Sequence, residues 1–326
     1  MTEYMRIPPA GQERTIEIER SPSEGGPRVA HVLDRRSALA VNAALAAARP
    51  LLVRGEPGLG KSQLARAVAA DLGWRFETFV IDSQTEPRDL LYTEDLVQRL
   101  ADAQIQRNAS ERLDRVRYVL PGPLWRLFNA EAAREQLSNS CAAGAADGSL
   151  ASSAAGAVLL VDEIDKAESS VPNALLEALG QRRFATPTGE VSMVAGRQCL
   201  VVLTTNEERA LPDAFLRRCL VLHMSLPEGR SQVVEELMRR GRVRYPEVEG
   251  VDVVMECAAG IVADARRELA GSGLSLPGVA EFIDLVDAAV AQRQGVEFLR
   301  EIGEYVIFKH GAPPRGGDGS RVSGDE

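Results

Sequence analysis

Cysteine is sparse in this chain of 326 residues: four, at positions 141, 199, 219 and 257, with no paired spacing. That excludes a disulfide framework or a cysteine-based zinc module and predicts reduced thiols in a cytoplasmic protein. Aromatic residues are also scarce, at 5%, so the core has to be built from Leu, Val and Ala. No apolar run approaches the roughly 20 residues of a membrane span. The first residues lack the charged-then-apolar pattern of a secretory signal. Nor is there a long basic run: 38 basic and 47 acidic side chains leave a net charge of −9. This balance counts against nucleic acid or an anionic membrane as the main partner. What the chain does have is 45% hydrophobic residues, ample for a core, in a length suiting one large or two modest domains.

The most informative stretch is Gly55-Glu56-Pro57-Gly58-Leu59-Gly60-Lys61-Ser62. It follows the apolar run Pro50–Val53 and opens a helical pattern, Gln63–Ala70. Strand, glycine loop and helix are the context that a phosphate-binding loop requires. Gly55, Gly58 and Gly60 allow the backbone to turn its N–H groups inward, and with the helix N-terminus these form an anion nest. In that frame Lys61 reaches the β- and γ-phosphates of a nucleotide, and the Ser62 hydroxyl holds Mg²⁺.

Around this loop the chain alternates strands and helices. Residues 1–33 are weakly patterned, with a short strand near Arg14–Glu19 and a linker at Ser21–Pro27. A helix from Ser37 leads into the glycine-loop strand, and Trp74–Ile81 reads as a second strand. Arg88–Arg115 reads as polar and helical until Tyr118–Leu124 breaks it, and an Ala/Gly/Ser-rich insertion covers about 138–155. Ala157–Val161 is a continuous apolar run, as in a parallel strand buried on both faces. A helix over Ser169–Gln181, a hairpin over Phe184–Gly196 and strands at Leu200–Thr204 and Leu220–Met224 follow. Beyond Pro227 only helices remain, ending in a Gly/Pro-rich tail, 311–326, of disordered composition. The organisation expected is a parallel α/β domain over 34–226 followed by a helical domain over 227–310.

The buried run ends in Val161-Asp162-Glu163-Ile164-Asp165, a Walker B pattern. Asp162 is placed to hold the Mg²⁺ shell, and Glu163 to orient and deprotonate a water. Asp165 and Lys166 are either a solvated pair at a helix start or a pair facing a neighbouring subunit. Asn206 closes the Leu200–Thr204 strand, where an amide can bond the γ-phosphate. Arg217 and Arg218 end a short helix. They either complement its dipole or project at another subunit's nucleotide as an arginine finger.

The whole series resembles an AAA+ ATPase: Gly55–Ser62, Val161–Asp165, Thr205-Asn206, Phe215–Arg218 and then a helical lid. Within that superfamily it is similar to the MoxR branch. The carriers are Ala40-Val41-Asn42 with Pro50–Gly58, Arg88-Asp89-Leu90-Leu91-Tyr92, Gly122-Pro123-Leu124, Asp162–Ala167 and Leu211–Cys219. The resemblance covers about Leu33 to Leu226 and more faintly the lid. It implies a P-loop NTPase fold and a homo-oligomeric ring, usually hexameric, with ATP and Mg²⁺ at each subunit boundary. On the matching motifs Gly55–Ser62 binds nucleotide, Ser62 and Asp162 serve Mg²⁺, and Glu163 and Asn206 serve the attacking water. Arg218 is the preferred finger, with Arg217 second. The resemblance further implies a protein client and a von Willebrand factor A domain partner. Arg88–Leu120 and Phe184–Gly196 match the branch's two inserted loops, which face the partner or pore. In one departure, the stretch Gly273–Phe282, where many such lids carry a second-sensor arginine, has none, leaving Arg266 or Arg267 as substitutes. The expected activity is ATP hydrolysis that remodels a client. The alternative is a nucleotide-gated scaffold of low turnover that assembles an effector complex. A nucleic-acid motor is disfavoured by the acidic balance and the lack of basic, aromatic-studded segments.

Overall fold

The computed structural model describes residues 13–18, 29–105, 114–142, 155–246 and 248–307. The insertion expected over 138–155 falls largely outside these, as do the linker at 21–27 and the tail at 311–326. The chain divides into two compact units, one running to Gly55 and from Gly60 to Met224, the other taking Glu56–Leu59 with Ser225 onward.

In the first unit β1 (Arg14–Ile18) pairs antiparallel with β2 (Val29–Leu33). Asp34 then caps α1 (Arg35–Ala47), its carboxylate accepting the Ser37 N–H. β3 (Leu51–Arg54) leads through the glycine loop to α2 (Lys61–Leu72), and β4 (Arg75–Val80) follows. An excursion holds β5 (Tyr92–Glu94), α3 (Leu96–Ile105), β6 (Val119–Pro121), α4 (Pro123–Phe128) and α5 (Ala130–Ser138). The chain returns to the sheet with β7 (Gly156–Asp162), then α6 (Ser170–Gln181), the hairpin β8 (Arg183–Thr186) and β9 (Gly189–Ser192), and β10 (Gln198–Thr205). The short α7 (Asp213–Leu216) precedes β11 (Leu220–His223).

Five strands form one parallel sheet in the order β11-β3-β10-β7-β4. Its central strands β3, β10 and β7 are apolar on both faces, and their side chains alternate between two cores, as a period of two requires. Leu51, Val53, Val158, Leu160, Leu200 and Val202 face α1, α2 and the β1–β2 hairpin. Leu52, Leu159, Val161, Val201 and Leu203 face α4 and α6. Helices therefore cover both sides of the sheet, as expected for an α/β P-loop fold, and the strand ends of β3, β10 and β7 lie side by side.

Two expectations need correction. The Arg88–Arg115 stretch is not one helix. Pro87–Leu90 is a 3₁₀ turn in which the Glu86 N–H donates to Asp89 Oδ2, and Tyr92–Glu94 pairs as a strand with Val119–Pro121. The segment Arg88–Tyr92 thus caps and turns; among the described residues of the stretch only Leu96–Ile105 is α-helical. The described part of the N-terminal segment is also more regular than its weak pattern suggested, because Ile16, Ile18 and Leu33 are buried in the sheet's core.

In the second unit α8 (Arg230–Arg244), α9 (Val251–Leu269), α10 (Val279–Gln292) and α11 (Val296–Ile307) pack together. Gly241 lets α8 come close to α9 and α10: a Cβ there would lie 2.5 Å from Met255 Sδ and 3.0 Å from Phe282 Cζ. Among the described residues no helix is long and apolar enough to cross a membrane.

Candidate functional site

Three adjacent strand ends deliver the site. β3 ends at Arg54, and the following loop takes φ of 144° at Gly55, 76° at Gly58 and 87° at Gly60. These are left-handed values that a side chain would strain. Gly60 caps α2 with no side-chain hydrogen bond, and no acidic residue occupies the helix's first turn. The first amides and the positive end of the helix dipole are thus left for an anion.

Lys61 is buried, 7% exposed. Its Nζ donates to Gly55 O at 2.6 Å and to Asn206 Oδ1 at 2.7 Å. Burial lowers its ammonium below the ordinary lysine value, opposed by the carboxylates of Asp162, Asp165, Glu207 and Glu163. Ser62 Oγ donates to Asp162 at 2.9 and 3.0 Å, and Thr204 Oγ1 donates to Asp162 Oδ1 as well. Glu163 sits in the left-handed region at φ 61°, its N–H on Thr204 Oγ1 at 3.0 Å. Its carboxylate accepts from Lys166 Nζ at 2.7 Å and from Asn206 Nδ2 at 3.4 Å. Asn206 therefore bridges the lysine and the glutamate, accepting from one and donating to the other.

Lys61, Ser62, Asp162, Glu163 and Asn206 are thus brought together from stretches far apart in sequence. Arg217 and Arg218 are not among them. Both are exposed beside the buried anchors Phe215 and Cys219. The Arg217 carbonyl accepts from Arg49 Nη2, and Arg218 lines a 590 Å³ cleft with Arg49, Asn173 and Glu177. Glu56, Pro57, Gly58 and Leu59 belong to the second unit. There Glu56 accepts from Arg266 at 2.7 and 3.3 Å, Arg266 also donates to Pro277 O at 2.8 Å, and Arg240 Nη1 donates to Leu59 O at 2.9 Å. Of the two candidate substitutes for a second-sensor arginine, Arg266 meets the glycine loop, whereas Arg267 is exposed beside Asp264.

Sequence reasoning did not single out Thr204 or Arg240, and it left the roles of Asp165 and Lys166 open. Thr204 supports both Asp162 and Glu163, and its only signal is its place at a strand end. Lys166 pairs with Glu163, and Asp165 is buried against the Glu208 N–H.

Ser62 and Asp162 offer a hydroxyl and a carboxylate, hard oxygen donors suited to Mg²⁺. Among the described residues no cluster of three or more His, Cys, Asp or Glu forms a metal cage. Two protein oxygens suit an ion that takes its remaining ligands from phosphate and water.

The RuvB Holliday junction branch migration motor of Thermotoga maritima is similar in structure, with TM-score 0.41 and 15% identity over 83% of this chain and 67% of that one. A provisionally assigned ATPase from Cytophaga hutchinsonii gives 0.38 and 15% over 83% and 79%. Likeness at that level transfers no residue role or activity. No curated protein matches the chain significantly. A family model, the AAA domain of the dynein-related subfamily, matches residues 50–219 and so spans more than half of the chain, from the glycine-loop strand to the buried Cys219. The chain belongs to this AAA family.

Proposed function

We propose that the protein binds and hydrolyses ATP and, in the manner of MoxR-type AAA+ proteins, uses the cycle to remodel or activate a protein client. The observation that supports this best is the hydrogen-bonded cluster of Lys61, Ser62, Asp162, Glu163 and Asn206 at adjoining strand ends. In this reading the α2 amides and Lys61 hold the β- and γ-phosphates. Ser62 and Asp162 hold Mg²⁺, which when bound neutralises phosphate charge. Glu163 accepts a proton from a water as its oxygen bonds to the γ-phosphorus. The bond from that phosphorus to the bridging oxygen breaks, leaving ADP and phosphate. Asn206 positions the water and senses the phosphate. Arg218, with Arg217 second, is exposed and so available to reach the nucleotide of a neighbouring copy, which implies a homo-oligomeric ring. A von Willebrand factor A domain protein is the partner class implied by the MoxR resemblance.

One observation favours a second reading, a nucleotide-gated scaffold of low turnover: the catalytic carboxylate is already paired with Lys166. Both readings are tested by ATPase rate against protein concentration for wild type, Glu163→Gln and Arg218→Ala, and for the two variants mixed. Shared sites predict a rate per subunit that rises with assembly, loss in each variant and partial recovery on mixing. A concentration-independent rate untouched by loss of either arginine defeats the ring. Tight ATP binding with negligible turnover at every concentration selects the scaffold.

A further inference from the structure

The nucleotide-site candidates occupy the carboxyl ends of the strands. At the opposite end of the same sheet lies a cleft of 450 Å³ whose lining includes Arg49, Arg182 and Arg197 and no Asp or Glu. β10 runs from this end, at Gln198, to the other at Thr205, about 23 Å at 3.3 Å per residue. The three arginines come from three chain reversals. Arg49 follows the left-handed Ala48 that ends α1, Arg182 is itself the left-handed residue ending α6, and Arg197 follows the turn at Gly196. Beside them the lining mixes the polar Gln198 with an apolar strip of Leu179, Met193 and Val201.

Arginines at helix ends often do no more than complement a dipole. That explanation does not cover Arg197, which follows no helix. Among the described residues neither Arg182 nor Arg197 forms an ion pair, although Arg183, next to Arg182, reaches Glu190. Arg49 donates to a carbonyl, that of Arg217. The acid on the adjoining cleft is Glu177, which is hydrogen-bonded by Gln181. Arg75, whose charge is also felt at Cys199, is occupied by Glu77 and the Arg126 carbonyl. In a chain of net charge −9, an acid-free group of cations over an apolar wall is a concentration of unspent positive charge. Cys199, also in the lining, is no nucleophile there, since burial pushes its thiol up to about 11.

We infer that this cleft binds a small organic anion, a carboxylate or phosphate carried on an apolar body, with Arg182 and Arg197 taking the charge and Leu179, Met193 and Val201 the body. Its volume lies in the range of small-molecule sites, about 300–1,000 Å³, and guanidinium forks match both headgroups.

Hexyl phosphate is the probe, titrated by calorimetry into the full chain. Inorganic phosphate serves as a charge without a body, 1-hexanol as a body without charge, and hexanoate as the carboxylate arm. Expected is one hexyl phosphate per chain, bound about tenfold or more tightly than either half-probe. Arg182→Gln/Arg197→Gln should weaken it about tenfold or more while leaving binding of a fluorescent ATP analogue unchanged. Lys61→Ala should leave hexyl phosphate binding intact. Loss of binding in Lys61→Ala or under saturating MgATP would place the probe at the glycine loop and overturn the inference. So would unchanged affinity in the double glutamine variant, whose fold is checked by its melting curve, or no binding of either amphiphile. Hexanoate binding as tightly as hexyl phosphate supports a carboxylate ligand, and the reverse supports a phosphate.

Discussion

Glu163 holds a backbone conformation, φ 61° and ψ 47°, that costs a non-glycine residue on the order of 1–2 kcal/mol. The Thr204 hydroxyl under its N–H holds it there. The same residue's carboxylate is shared between Lys166 and Asn206, and both ends of the Lys166 pair are partly open to water. An exposed pair of this kind holds its partners only weakly. Lys166→Ala is therefore expected to raise single-site turnover about two- to fivefold by freeing the carboxylate, read as kcat with KM unchanged. A fall in kcat would mean that the lysine orients the base. At the thiols, burial pushes Cys199 and Cys219 up to about 11 from 9.0. The folded protein then binds these protons more tightly than the unfolded chain. Their contribution to stability is fully present below pH 9 and is lost as pH climbs toward 11. The urea midpoint should drop across that window, and drop less in Cys199→Ala/Cys219→Ala.

Among the elements, the join between the 3₁₀ turn and α4 is the least forgiving. Gly122 has an ordinary φ of −78°, but a Cβ would lie 2.7 Å from Leu91 C and 2.8 Å from Asp89 O. These are backbone atoms that cannot step aside, so Gly122→Ala should cost about 1–3 kcal/mol in a urea titration. An unchanged midpoint would show that the hairpin base can spread. This contact also explains what was legible in the sequence. The parallel strands announced themselves because β7 and β10 are continuous apolar runs, and the glycine loop because strand, glycines and lysine occur in a fixed order. Arg88–Tyr92 misled because its charged residues suit a helix surface, whereas the structure uses Glu86 and Asp89 as caps and pairs Tyr92 with Pro121. The site was readable where a residue type has one chemical use, as at Lys61 and Asp162. It was not readable at Thr204, Lys166 or Arg240, whose partners are set by which strands and helices become neighbours.

For the molecule as a whole, nucleotide binding should register as stability. In Glu163→Gln, MgATP at about one hundred times its Kd should contribute about 2.7 kcal/mol, visible as a Tm rise of about 4–6 °C. Lys61→Ala should abolish the rise; a rise that persists would place the phosphates elsewhere. The sheet order carries a different consequence. β3 is hydrogen-bonded to β10 and β11 and to no strand made earlier, so its partners in the sheet arrive roughly 150 residues later, which makes closure of the sheet slow. During synthesis the Leu51–Val53 strand has to wait, apolar and unpaired, until two-thirds of the polypeptide has left the ribosome. A nascent chain arrested before Gln198 should consequently be a chaperone substrate and aggregate on release, while one arrested well past His223 should resist protease across the glycine-loop strand.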